Sequence, residues 1–324
     1  MRIKLAPGIM TIGLILVAQS TANAATVYVS NEKDNSIAIL DGETGELKKT
    51  IAVGQRPRGI RLSHDKKALY ICASDDDTIQ VLDLATGKIT HTLPSGDDPE
   101  TFALHPNGRL LYVSNEDNNL ATVIDVEKRE VVAEIPVGVE PEGVGISPDG
   151  RWAVVTSETT NMAHWIEVKT QTIAKNVLVD SRPRYVAFTP DGKEAWVSSE
   201  IGGNVNVIDS AAHEITHRVT FSLPGVETEK IQPVGIAHSK EGTWSFVALG
   251  PANHIAVVNR QTYEVEKYLL VGSRVWNLAF SPDGKWLYTT NGVSNDVSII
   301  DVKALKVRKS VTTGRYPWGI DVGP

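Results

Sequence analysis

Seven copies of one short string recur along this chain at a nearly constant period. Tyr28, Tyr70, Tyr112, Val154, Trp196, Phe246 and Tyr288 open the strings YVSN, YICA, YVSN, VVTS, WVSS, FVAL and YTTN, at spacings of 42, 42, 42, 42, 50 and 42 residues. Two further markers keep the same register. One is an acidic or amide residue after an apolar run (Asp41, Asp83, Asp125, Glu167, Asp209, Asn259, Asp301). The other is a proline (Pro57, Pro99, Pro141, Pro183, Pro233, Pro317), replaced by Val275 in one copy. Self-similarity at a period near 40 means repeated units that bury their apolar faces against neighbours.

Each unit reads as four short strands. Strand A is apolar (Gly59 to Leu62) and runs into a turn such as Ser147-Pro148-Asp149-Gly150, where Pro presets φ and Gly supplies a positive φ. Strand B carries the YVSN-type string. Strand C is the β-branched run before the marker Asp, and an Asp-x-x-Thr-Gly turn (Asp41, Thr44, Gly45) leads to strand D. Along strand A, large positions (Ile60/Leu62, Phe102/Leu104, Val186/Phe188, Leu278/Phe280) alternate with small ones (Gly59, Gly143/Gly145, Ala187, Gly235/Ala237, Ala279), so one unit's large face can fill a neighbour's small one. Four antiparallel strands repeated seven times predict an all-β, seven-bladed β-propeller. The first repeat begins at strand B (Thr26 to Ser30), and the chain ends on a lone strand A (Trp318 to Val322). The C-terminal strand is therefore expected to pair with the N-terminal blade and close the ring.

Two features lie outside the repeat. Arg2 and Lys4, the apolar run Ile9 to Ala18, and Ala22-Asn23-Ala24 read as a signal peptide over residues 1–24, cleaved after Ala24. The expected single propeller domain then spans residues 25–324 of an exported protein. No later stretch reaches 18 apolar residues, so no membrane insertion is expected after cleavage. Loss of Arg2 and Lys4 carries the formal charge from −7 to −9, which excludes nonspecific nucleic-acid binding and suits a basic protein partner. The second feature is eight extra residues between Asp209 and Pro233, in the segment Phe221 to Ile231: a neutral surface excursion, or a lid or docking finger.

The D-to-A and B-to-C connections share one end of the disc, around the channel mouth, and the strand A entries give a seven-membered rim. Arg56, Arg58, Arg182, Arg184 and Arg274 supply cations, Glu100 and Glu142 carboxylates, and Trp276 and Trp318 flat apolar faces. These residues suit a pocket for an anionic small molecule, or else a salt-bridge ring that holds the blades in register. Glu100, Glu142 and Asn277 are the candidate oxygen ligands for a divalent cation. His164 and His254, beside B-to-C loops, have no second His or Cys at ligand spacing and read as polar surface residues. Asp75-Asp76-Asp77 reads as a solvated loop. The single cysteine, Cys72, aligns with Ser30, Ser114, Thr156, Ser198, Ala248 and Thr290, a small slot in strand B that predicts a buried, inert thiol. None of the common hydrolase, zinc-protease, P-loop or dinucleotide motifs is present.

The YVSN-type strand and the S-P-D-G turn resemble those of YVTN-family β-propeller repeat proteins over residues 26–322. Five longer strings, Ser157 to Trp165, Phe246 to Asn253, Tyr268 to Trp276, Thr289 to Asp296 and Gly314 to Gly319, are similar to the branch associated with PQQ-dependent catabolism. That resemblance implies a periplasmic setting beside quinoprotein alcohol dehydrogenases and c-type cytochromes, and it carries over no catalytic residue. The function expected from it is a non-catalytic accessory that binds one of those proteins or a small molecule. The alternatives are a lactonase-like, metal-assisted hydrolase using Glu100, Glu142 and Asn277, and an oxidoreductase-associated subunit. Direct PQQ binding through Arg58, Arg184 and Trp276 is weakened by the lack of a cysteine pair.

Overall fold

A computed structural model describes residues 25–324; the expected signal peptide, residues 1–24, lies outside the described residues. Seven four-stranded antiparallel sheets form a ring of blades. Blade 1 joins strand A at Pro317–Gly323 to strand B at Thr26–Asn31, followed by strands C (Ser36–Asp41) and D (Leu47–Ala52). Val27 pairs with Val322 and Val29 with Ile320, so the end of the chain closes the first blade as the repeat arithmetic requires. In the other blades A to D follow in order, with strand A at Pro57–Leu62, Pro99–Leu104, Pro141–Ile146, Pro183–Phe188, Ile236–His238 and Val275–Phe280.

Burial follows strand position. Strands B and C lie inside the ring and are buried on both faces, whereas strand D alternates between burial and exposure because its outer edge and one face meet solvent. The core is a series of seams between blades. Tyr70, Cys72, Ile79, Val81 and Leu93 of blade 2 pack on Phe102, Leu111 and Val113 of blade 3, and the closing strand's Ile320 and Val322 pack with Tyr288 and Val297 of blade 7. The turns obey their chemistry. The Gly150 N–H donates to Ser147 O at 2.8 Å with Gly150 at φ 74°, and Asp149 accepts the Ser147 hydroxyl at 2.6 Å.

Register shifts in the A–B pairing, as between Pro57 and Ile60, leave strand A carbonyls off the ladder. Strand B hydroxyls of the preceding blade take them up. Ser30 Oγ donates to Arg58 O at 2.7 Å, Ser114 Oγ to Glu142 O at 2.6 Å, and Thr290 Oγ1 to Trp318 O at 2.7 Å. Cys72 occupies the same slot in blade 2 and is fully buried.

The extra segment between blades 5 and 6 is neither free finger nor loose loop. Phe221, Leu223 and Ile231 are buried among Val205, Val219, Val247 and Leu249, and the Ser222 N–H donates to the Tyr268 hydroxyl at 2.9 Å. Only its middle, from Pro224 to Lys230, is largely exposed. Strand A of blade 6 is correspondingly cut to three residues.

Candidate functional site

One loop device fixes the rim. In six blades the last D-to-A residue takes a positive φ: Arg56, Asp98, Glu140, Arg182, Arg274 and Tyr316, between 48° and 58°. Each donates its N–H to the side-chain oxygen of a B-to-C residue that is itself left-handed: Asn35, Asp77, Asn119, Asn161, Asn253 and Asn295, at 2.8 to 3.1 Å. Asn and Asp tolerate that conformation best among residues with a side chain. The seventh copy has Gly203, which offers no oxygen, and that is where the insertion leaves the ring. The Asp75–Asp77 loop belongs to this scaffold rather than to bulk solvent, since Asp75 pairs with Arg56 at 2.5 Å and Asp76 accepts the Gln55 N–H at 2.8 Å.

All nine predicted rim residues fall into one connected network. Arg56 reaches Glu100 at 3.0 Å and contacts Asp98; Arg58 reaches Glu100 at 2.8 Å and Glu142 at 3.9 Å. Arg184 continues the chain to Glu142 at 3.0 Å and to Glu158, Arg182 bridges Glu158 (2.7 Å) and Glu200 (3.3 Å), and Arg274 reaches Glu200 at 2.8 Å. The Trp276 ring lies 4.2 Å from the Arg274 guanidinium and 5.7 Å from that of Arg184, and Trp318 lies 5.2 Å from that of Arg58. Such stacking holds a guanidinium in plane while leaving its edge for hydrogen bonds. The buried indole N–H groups of Trp276 and Trp318 have no acceptor among the described residues.

Four glutamates of this network escaped the sequence reading: Glu32, Glu116, Glu158 and Glu200. Each directly follows the YVSN-type string, a column that reads Ser74, Gly250 and Gly292 in the other blades. Their alignment was visible; that the residue after strand B turns in toward the channel mouth was not. With Asp98, Glu100 and Glu142 they leave the carboxylates in excess over five arginines, and the excess is felt at blade 3. Burial, then the Glu100 and Asp98 carboxylates, push the Glu116 carboxyl up to about 7. Burial and Glu100 likewise raise Asp98 to about 6, against the pull of Arg56. The oxygens of Asp98, Glu100 and Glu116 lie within 4.8 Å of one another.

The trio expected to hold a cation does not present three free oxygens to one point. Glu100 and Glu142 are each engaged by guanidinium groups, and Asn277 spends its amide N–H on Trp318 O at 3.0 Å. At Asp98 and Glu100 the positive charge comes from Arg56 and Arg58. His164 is buried, not a surface residue: its Nδ1 faces Asn176 Oδ1 at 2.7 Å, and its Nε2 takes the Gly138 N–H at 2.9 Å and faces Ser157 Oγ at 3.0 Å. Its column holds Gln80, which binds the Gly54 N–H in the same way, so His164 is a strut between strand C and the following loop. His254 bonds Ala252 O within its own loop at 2.6 Å.

A family model described as a seven-bladed lactonase β-propeller matches residues 18–95 and 175–308, and a cytochrome D1 haem domain model matches residues 65–176. No curated protein matches the sequence. Among solved structures, the hydrazine synthase of Kuenenia stuttgartiensis is 22% identical, with a TM-score of 0.77 over 86% of this chain and 92% of that one. A Bacteroides fragilis protein described as a candidate 6-phosphogluconolactonase is 19% identical, with a TM-score of 0.80 over 94% and 99%. The dihydro-haem d1 dehydrogenase NirN is 14% identical, with a TM-score of 0.69 over 91% and 74%. At these identities the structures speak for the fold. The family match overturns the expectation of a non-catalytic accessory to quinoprotein alcohol oxidation, because the family it identifies is one of lactonases.

Proposed function

We infer the function from one premise: the chain belongs to the lactonase family of seven-bladed β-propellers, whose model matches more than half of it. We propose that it hydrolyses a lactone at the arginine–glutamate rim. The observation that carries this reading is Glu116, half-buried at the channel mouth with its carboxyl at about 7, beside a Glu100 gripped by Arg56 and Arg58. An acid–base group works best when its pKa lies near the operating pH.

The chemistry needs little else. As a carboxylate, Glu116 accepts a proton from water as the water oxygen bonds to the lactone carbonyl carbon. The carbonyl oxygen gains negative charge, which a rim guanidinium such as Arg58 stabilises. Collapse breaks the acyl C–O bond of the ring, and Glu116 returns the proton to the departing ring oxygen. One water is consumed and one open-chain hydroxy acid forms. Trp276 and Trp318 supply apolar faces for the ring's C–H groups. Glu100 and Glu142 act here as partners of the arginines.

Binding of a haem-like group is the second reading, supported by the cytochrome D1 match. The residues fit it poorly. Of the three histidines in that stretch, His91 is on outer strand D, His105 sits at the A–B turn with Nε2 on Gly150 O at 2.9 Å, and His164 is committed on both nitrogens. The rim arginines could grip the propionates of a macrocycle, but no histidine of that segment faces them as an axial ligand.

The test is acid release from δ-valerolactone, glucono-δ-lactone and its 6-phosphate, followed above the spontaneous rate. Turnover that falls by about a hundredfold or more in Glu116→Gln supports the proposal, in line with the loss of a general base. Absence of turnover on all three, or an undiminished Glu116→Gln, overturns it.

A further inference from the structure

The far mouth of the channel, opposite the rim, breaks the repeat in its own way. Counted from the marker proline position, the fifth residue of the strand A segment is Ala103, Gly145, Ala187, Ala237 and Ala279 in five blades, but Arg61 in blade 2 and Asp321 in blade 1. Two positions earlier, a column of glycine, Thr101 and Asn277 is broken by Tyr185 in blade 5. Small residues in these columns let neighbouring strands approach closely: a Cβ on Gly143 would meet Arg184 O at 2.7 Å, and one on Gly145 would meet Val186 Cγ1 at 2.7 Å. A long polar side chain there must extend into the channel, and three of them line one cavity of about 430 Å³.

The cavity is built to aim one guanidinium. Asp321 is fixed by two backbone N–H groups, from Leu62 at 2.8 Å and Val322 at 2.9 Å, and stands 3.8 Å from Arg61 Nη1. That contact is too long for a hydrogen bond. Arg61 therefore has a neighbour that orients it, yet its N–H donors make no hydrogen bond to any described residue, and neither does the Tyr185 hydroxyl. The other residues of the wall are mostly apolar in type, Leu104, Ile146, Phe188 and Phe280 among them, although the surface they and the backbone present to the cavity is more polar than apolar, and the Arg61 side chain is nearly half exposed at its mouth. His238, on the same wall, is occupied by Ser245 Oγ at 2.7 Å and is held neutral by burial, so it adds no charge. Convergent polar groups with apolar side chains between them, in a concavity of several hundred Å³, suit a small-molecule site.

We propose that this far mouth is a binding site, separate from the rim, for a small organic carboxylate with an apolar body, its carboxylate taken by Arg61 and Tyr185. A planar guanidinium fork matches a carboxylate in two parallel hydrogen bonds. Because Asp321 balances the charge of Arg61, recognition rests on those directed bonds and on burial of the apolar body, not on net charge.

The probe is 3-phenylpropionate, titrated calorimetrically into the whole protein, with 3-phenylpropanamide as its uncharged counterpart. The acid is expected to bind and the amide to bind at least tenfold more weakly. Arg61→Gln should weaken the acid by about tenfold or more, the share of one bidentate charge-assisted contact. Ala279→Phe provides a second route that leaves Arg61 intact. Its column already carries a large side chain in two blades, and the added ring fills the cavity and should abolish binding. Arg58→Gln, at the opposite mouth, should leave the affinity unchanged. No binding at millimolar probe, equal binding of acid and amide, or a loss in Arg58→Gln with none in Arg61→Gln each overturns the proposal.

Discussion

Asn161 Oδ1 accepts the backbone N–H of Arg182 at 3.0 Å, and both residues sit in the left-handed region. Five other blades repeat the pair, so the rim arginines are held by a clamp between two loops and not by their own ion pairs alone. Asn161→Ala loses the hydrogen bond and strains the backbone, and is expected to cost about 2 kcal/mol. Asn161→Gly relieves the strain but not the lost bond and should cost about 1 kcal/mol. Chemical denaturation of the two variants separates the contributions: equal losses would remove the strain, and an Asn161→Gly variant as stable as the wild type would deny the clamp.

Glu116 sets a pH dependence whose sign is fixed. Its folded-state pKa, about 7, lies above its unfolded value, so between roughly pH 4.5 and 7 the folded protein binds more protons than the unfolded one. The stability this group contributes is present below that window and is lost as the pH rises through 7. Asp98, raised to about 6, acts in the same direction from about pH 4 upward. Glu116→Gln should flatten the fall of Tm across this window and melt higher than the wild type at pH 8. Hydrolysis moves the opposite way, rising as Glu116 deprotonates. A Tm profile unchanged by Glu116→Gln would remove Glu116 from the account.

Arg184 is almost fully buried against Glu142 and Glu158, and Glu142 depends on it most, since Arg182 also holds Glu158 at 2.7 Å while Arg58 stands 3.9 Å from Glu142. Arg184→Met should cost about 3–5 kcal/mol by stranding Glu142. Adding Glu142→Gln should restore part of that loss, a coupling that a double-mutant cycle measures directly. Additive losses would show that the pair does not communicate.

Cys72 is fully buried, and burial pushes its thiol well above the ordinary range. It should resist a disulfide-exchange reagent in native buffer and react only on unfolding. Rapid labelling of the folded protein would contradict the seam packing.

The ring was legible because its determinants are periodic. Tyr28 and Tyr288 mark strand B wherever they fall, and a 42-residue count leads from one blade to the next without any knowledge of contacts. The rim arginines could be read for the same reason, since Arg58 and Arg184 stand beside marker prolines. What stayed hidden depends on direction and depth. Glu116 looked like a loop residue after YVSN until strand B was seen to end at the channel mouth. His164 looked polar and exposed because sequence cannot show that strand C is buried on both faces. The segment Phe221–Ile231 announced its length, but not that three of its apolar residues would seal a seam. Arg61 and Asp321 depart from a column of small residues, and only the placement of that column at the far mouth gives the departure a meaning.

Gly319, in the closing strand, has no room for a side chain: a Cβ there would lie 2.3 Å from Arg58 O and 2.8 Å from Ser30 Oγ. The same strand carries Trp318 onto Arg58 and Asp321 toward Arg61, so one seven-residue strand serves both mouths of the channel. A side chain forced in at Gly319 would therefore displace groups at both ends of the disc at once, coupling two mouths that share no direct contact.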